Sequence, residues 1–430
     1  APLITVLFHT SSTSPAQAHL ITALSALLLP EIFFYGLAAL IAAILNTRGH
    51  FAAPMWTPIL NNIVVILTGG LFILLPGERH LTPETITATQ VLVLGIGTTL
   101  GIVVQASGLF PALRRVGFRW RWRWDWRELH LRELARIASW MLLFVIVNQA
   151  ALIVILRIAQ GAAGHGGPGP AIYNNAFLIF MMAHGIIAVS IMTALMPRMS
   201  AAASERRHRD LIRYLSLGTR LASVILIPTT VAYLVLGRNL SVLLFNYGNY
   251  NLTQALQTGW VVAIAGLGLV PFAISQLQLF SFYAMPDTKT PALLNIPAAL
   301  LRIVFGVIIY VALPVGWIAA GLMLGNALSY VFAAGVGNVL LRRRIGRLGF
   351  DSVMATLGRL GLAAVIGAGP ALLISLIVQR LLGTGHVGSL VGLVFGGVAL
   401  LAVYLAVAVA LRVREVNQVF DMLRSRLSRG

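Results

Sequence analysis

The chain contains no cysteine, which excludes a disulfide framework, a thiolate metal centre and a cysteine nucleophile. Acid is scarce: 12 Asp and Glu stand against 31 Lys and Arg in 430 residues, and no two Asp residues are close enough in sequence to form a metal-binding pair. Neither a GxxxxGK[ST] loop nor an HExxH helix occurs, which argues against ATP hydrolysis and zinc peptidase chemistry. The expectation is therefore a non-enzyme without metal or cofactor. Lysine is almost missing too, Lys289 being the only one. Charged residues make up only 10%, whereas 58% are hydrophobic and the mean hydropathy is +0.89, far from the balance of a soluble domain.

What fills the chain is apolar runs long enough to cross a bilayer. Eleven are read, near residues 17–45, 52–75, 85–109, 137–157, 171–197, 217–237, 256–283, 292–312, 316–341, 358–379 and 388–411. The connections opening at 46, 110, 198, 284 and 342, with the C-terminal tail, carry most of the arginines. The opposite connections hold only Arg79, Arg157, Arg238 and Arg380. Basic loops stay cytoplasmic, so this alternation predicts a polytopic all-α membrane protein with its C-terminus in the cytoplasm; the Arg-rich, nearly Lys-free usage fits a bacterial coding bias and so a bacterial inner membrane. The net charge of +19 is split into short blocks beside apolar helices, which points to anionic membrane lipids as partners and not to nucleic acid. The Arg–Trp run at Phe118–Trp126 suits anchoring on the inner leaflet, and Arg412–Arg429 reads as a basic interfacial helix.

The first and seventh runs share a pattern. Pro30 is followed by Ala43, Asn46, Thr47 and Arg48; Pro271 is followed at identical spacing by Ala284, Asp287, Thr288 and Lys289. Six spans separate the copies, so they point the same way, as in a parallel transporter repeat with lobes of about six helices. With the lobe boundary in the basic stretch after 110, about three helices are expected before Ala1, within a plan of about fourteen.

The segment PEIFFYGLAALIAAILNTRGHFAAPMWTPILNNI, the corner FSFYAMPDTKTP and AVSIMTALMPRMS resemble the MurJ (MviN) lipid II flippase family of the MOP exporter superfamily, in an Arg-rich style similar to actinobacterial members. The resemblance implies the C-terminal part of a first lobe at 1–110 (family helices four to six), a cytoplasmic basic and aromatic linker at 111–136, and a second lobe at 137–341. It further implies two C-terminal helices at 342–411 that form a lipid-tail groove, and a basic tail at 412–430. It implies flipping of lipid II, or a similar undecaprenyl-pyrophosphate-linked sugar, to the outer leaflet by alternating access, driven by membrane potential or an ion gradient. Another MOP-type exporter, for polysaccharide lipids or drugs and cations, is one alternative. A non-transporting scaffold that recruits cell-wall synthesis proteins is the other. Where the family carries an acidic–Arg pair, this chain reads Ala176, Phe177, Leu178.

Candidate site residues are those that are costly in hydrocarbon. Glu31, beside Pro30, is the one acid deep in a run: either a cavity residue or a protonated structural group. Arg302 lies ten residues or more into its run, about 15 Å deep, where a guanidinium suits paired bonds to pyrophosphate. Its alternative is a structural salt bridge, with Glu31 as candidate partner. Gln276, Gln278, Asn148 and Asn175 either bond a sugar or tie helices together. His184 reads as a neutral hydrogen-bonded imidazole. Asn46, Thr47, Arg48, Asp287, Thr288 and Lys289 mark the two cytoplasmic corners.

Overall fold

Hydrocarbon offers no water to peptide groups, so apolar runs of this length must satisfy their backbone internally as helices. The computed structural model describes residues 14–78, 81–118 and 131–417, apart from the side chains of 131, 350 and 351; no strand occurs among the described residues. Among the described residues ten helices are long and apolar enough to span a membrane, or eleven when one bent pair is counted as a single span. The Arg–Trp run beyond Phe118 and the tail beyond Asn417 lie outside the described residues. The chain divides into two compact units, Ala1–Leu129 and His130–Gly430.

The first unit holds α1 (Pro15–Leu28), α2 (Glu31–Thr47), α3 (Ala52–Leu74), α4 (Ala88–Ser107) and the short α5 (Phe110–Arg115). Ser14 and Gln17 form a capping box at the start of α1, as do Thr87 and Gln90 at the start of α4, so orphan N–H groups at both starts find side-chain acceptors. The first apolar run is broken at Leu29–Pro30, and Pro30 caps α2, because a proline ring cannot continue the preceding turn. Ala38, Ile41 and Leu45 of α2 close against Ala106, Leu109 and Leu113. Large side chains such as Ile66, Ile73 and Leu74 on α3 are mostly exposed, the inverse of a soluble protein and suited to lipid contact.

The second unit holds α6 (Leu131–Gly164), α7 (Pro170–His184), a π-helical turn (Gly185–Val189), α8 (Ser190–Ser204), α9 (His208–Phe245), α10 (Leu252–Gly266), α11 (Leu269–Ala284), α12 (Lys289–Ala312), a 3₁₀ turn (Val315–Trp317), α13 (Ile318–Ile345), α14 (Phe350–Leu382) and α15 (His386–Ala410). Helix α9 begins nine residues before the expected run at 217, because Leu211 and Leu215 in its polar first turns are buried against Met199 and Ala202 of α8 and Leu341 of α13. The run at 256–283 is two helices, α10 and α11, bent by 49° at Leu267–Gly268. Pro271 sits in the first turn of α11, where its missing N–H costs nothing.

Helices α14 and α15 pack on each other and on α9. Buried Asn239 of α9 accepts hydrogen bonds from Ser375 Oγ (3.1 Å) and Gln379 Nε2 (2.9 Å) of α14. Gly392 of α15 leaves room for its amide: a Cβ there would lie 2.4 Å from Asn239 Nδ2. Tyr404 Oη of α15 donates to the Val224 carbonyl of α9 at 2.6 Å.

Candidate functional site

In the second unit, four helices leave a cavity of about 100 Å³. Its walls follow helical periodicity. Helix α11 contributes Phe272, Ser275, Gln276 and Leu279, and α12 contributes Asn295, Ala298, Ala299 and Arg302, both at i, i+3, i+4, i+7. Phe144 and Asn148 of α6, and Ser329, Tyr330 and Ala333 of α13, face them, with Pro291 and Leu294 of α12 completing the wall. Ala298 and Ala299 fill the middle of the α12 face with small groups, so the polar ends, Asn295 and Arg302, open onto one space.

Arg302 dominates the chemistry. Its Nη2 donates to Asn148 Oδ1 over a long 3.5 Å, and its Nε is buried with no protein acceptor. The described carboxylates of this unit are engaged elsewhere. Glu133 pairs with Arg136, Glu205 and Asp210 with Arg207, Asp287 with Arg344 and Glu415 with Arg220. A guanidinium cannot discharge itself by losing a proton, so this cavity holds a positive charge that no described carboxylate in its unit neutralises. Asn148 is oriented by its own Nδ2, which donates to the Phe144 carbonyl at 3.0 Å. Asn295 Nδ2 reaches the same carbonyl at 3.2 Å from α12. Phe272 and Tyr330 form an aromatic floor, with ring centroids 4.6 Å apart, and His184 packs on Phe272 at 4.5 Å.

Of the residues singled out in the sequence, Arg302, Asn148 and Gln276 meet in this cavity. Gln278 does not: two residues from Gln276 it is turned about 200° around the helix. It is buried toward α13, where Nε2 donates to the Ala334 carbonyl at 3.0 Å, and Gly337 makes room for it. Asn175 lies half-buried on α7 and is not one of the cavity's wall residues. Glu31 belongs to the first unit, at the N-terminus of α2, where Thr99 Oγ1 lies 3.4 Å from its Oε1; a helix N-terminus favours a carboxylate. Buried His184 contacts an aromatic ring, and its Nδ1 has no hydrogen-bond partner, unlike the bonded imidazole expected. The cavity adds Asn295, Ser275, Ser329 and Tyr330 to the candidates read from the sequence; only Asn295 carried a signal there, seven residues before Arg302 on the same face of α12, whereas the others lie on α11 and α13.

The corner residues make joints. Thr47 Oγ1 donates to the Ile44 carbonyl (2.8 Å) and Arg48 Nη1 to the Val116 carbonyl (2.9 Å) just past α5; Asn46 accepts from the Gly49 N–H through its carbonyl. In the second unit Asp287 accepts from the Thr290 N–H (3.0 Å) and hydroxyl (2.6 Å) and pairs with Arg344 of α13. Burial pushes the Asp287 carboxyl up, but the bonds from Thr290 and Arg344 outweigh it and hold it below the usual carboxylate range. Thr288 precedes α12, and Lys289 Nζ lies 5.6 Å from the Trp140 ring of α6.

A family model described as lipid II flippase MurJ matches residues 1–412. The probable lipid II flippase MurJ of Buchnera aphidicola subsp. Baizongia pistaciae is 25% identical over 283 residues, covering 66% of this chain and 52% of that protein. The lipid II flippase MurJ of Burkholderia cenocepacia is 27% identical over 270 residues, covering 62% and 49%. This chain thus spans about half the length of the curated relatives it matches. Among solved structures, a lipid II flippase MurJ in an inward closed conformation superposes with a TM-score of 0.67 at 17% identity, covering 95% of this chain and 79% of that one. An inward-facing multidrug resistance MATE family transporter of the MOP superfamily gives 0.63 at 20% identity, covering 82% and 77%. The fold is that of a multi-pass helical transporter of the MOP type. Within that class, the chain belongs to the lipid II flippase MurJ family.

Proposed function

We propose that the protein carries lipid II from the cytoplasmic to the outer leaflet of the bacterial inner membrane, with the Arg302 cavity as a contact for its pyrophosphate. The observation that carries this reading is the unneutralised guanidinium, whose Nε has no acceptor, among amide and hydroxyl side chains suited to a sugar phosphate. The cavity walls include no carboxylate, which favours an anionic cargo over a cationic drug. Alternating access would use the bend at Leu267–Gly268 and the π-helical turn after His184, two places where the helical ladder is already interrupted. An inside-negative potential would expel an anion with about 2.3 kcal/mol per charge per 100 mV, enough to drive transport without ATP. The two units correspond, on this reading, to part of a first lobe, and to a second lobe with two C-terminal helices.

The full-length protein reconstituted in vesicles should move lipid II headgroups across the bilayer faster than protein-free vesicles, and faster still under a potential that is negative on the donor side. Equal rates with and without protein would overturn the function. The topology has its own check. Cysteines placed at Gly164, the exposed last residue of α6, and at Asn249, exposed in the connection after α9, should react with an impermeant thiol reagent on intact cells. Reaction only after lysis would reverse the orientation and put the C-terminus outside.

A further inference from the structure

On the side of the membrane opposite the Arg-rich loops, one more arginine lacks a counter-charge. Arg238 lies seven residues before the end of α9, about 10 Å along the axis, and is half-buried, with a buried Nε that no protein atom accepts from. The carboxylates described in its unit are paired with other arginines. Its guanidinium carbon stands 5.6 Å from the Trp260 ring centroid, and Trp260 lies 6.5 Å from Trp317. Two glycines bring the pair together. A Cβ on Gly259 would lie 2.4 Å from Arg238 Cα, and one on Gly237 would lie 3.0 Å from the Gly259 carbonyl oxygen. Helices α9 and α10 therefore touch backbone to backbone at this level, which sets Arg238 beside Trp260. Both tryptophans are about half exposed, 49% and 53%, although burial of such large rings would be favourable.

We infer that Arg238, Trp260 and Trp317 form a binding site for the phosphodiester of an anionic glycerophospholipid in the outer leaflet. A permanently charged guanidinium at this depth needs an anion, and at a bilayer interface the abundant one is lipid phosphate, which a planar fork of N–H donors can bind through two bonds. Tryptophan supplies both halves of the surround. Its ring face stabilises the cation, and its amphipathic body occupies the headgroup boundary, where the lipid's glycerol region would lie against it. The site is separate from the Arg302 cavity, sharing no residue with its walls, and does not depend on the cargo being lipid II.

The test uses full-length protein, delipidated in neutral detergent and titrated with phosphatidylglycerol bearing brominated acyl chains, which quench nearby tryptophan. Trp260→Phe defines the share of quenching that reports this site; as a substitution of a half-exposed ring it leaves the core intact. For that share, wild-type protein should show saturable quenching. Arg238→Gln should shift its midpoint by about tenfold or more, the loss expected for a charge-assisted bond. Arg238→Lys should fall between the two, and also serves if the Gln variant does not fold. Phosphatidylcholine with the same chains should quench less at equal concentration. Unchanged midpoints in both Arg238 variants would overturn the proposal. Displacement of the lipid by an equal concentration of inorganic phosphate would also overturn it, since the site would then select a free anion.

Discussion

Full-length protein carrying Arg302→Ala should reach the membrane at normal levels and fail to support growth of a flippase-depleted strain. The first half follows from how little the guanidinium does for the fold: it pairs with no carboxylate described in its unit, and its partners are the neutral side chains of Asn148, at 3.5 Å, and Tyr330. The second half follows from what the cavity loses. A charge-assisted bond to a phosphoryl oxygen contributes about 1.5–3 kcal/mol, so transport should drop by about tenfold to a hundredfold. Arg302→Lys should recover only part of this, because an ammonium keeps the charge but not the two-pronged geometry. The measurement is complementation alongside quantified membrane protein. A structural role would show differently: Arg302→Ala would lower protein levels, and Arg302→Gln, which keeps a hydrogen-bond donor for Asn148, would restore level and activity together. Full activity of the Ala variant would remove Arg302 from the mechanism.

Asp287→Ala should cause the largest loss of stability among the corner residues. One carboxylate there holds the first turn of α12 through Thr290 and ties it to the end of α13 through Arg344. Removing it strands those donors at an estimated cost of about 2 kcal/mol or more, to be read as a lower unfolding midpoint in detergent. The pH dependence has a definite sign. Because the folded carboxyl is held below its ordinary value of 3.8, its contribution is complete above that value and is lost as pH falls through the lower folded value. Wild-type protein should therefore lose stability on acidification through that window more steeply than Asp287→Asn, which has no proton to take up. Identical acid profiles would show that the joint does not depend on the charge.

Some of this was legible in the chain and some was not, for a physical reason. Hydropathy and loop charge accumulate along the sequence without reference to neighbours, so the membrane class and the number of spans could be read directly. The same holds for Arg302 as a costly buried charge, since depth within an apolar run follows from counting residues. The runs at 17–45 and 256–283 were each read as one span, and the structure breaks both just before a proline, Pro30 and Pro271, because a proline acts on its own preceding turn. The direction a polar side chain faces is different, because it depends on which helix lies alongside. Gln276 and Gln278 look equivalent in sequence, yet one enters the cavity while the other bonds the Ala334 carbonyl of α13. Asn295, Ser275 and Ser329 look like ordinary helix glue until α6, α11, α12 and α13 set them around Arg302. Asp287 gives no hint of Arg344, 57 residues away. Bilayer crossing is decided by the free energy of each segment in lipid, a local sum that the sequence alone determined. The polar cavity is decided by contacts between segments distant in the chain, and only tertiary packing selects which few of many similar amides share it.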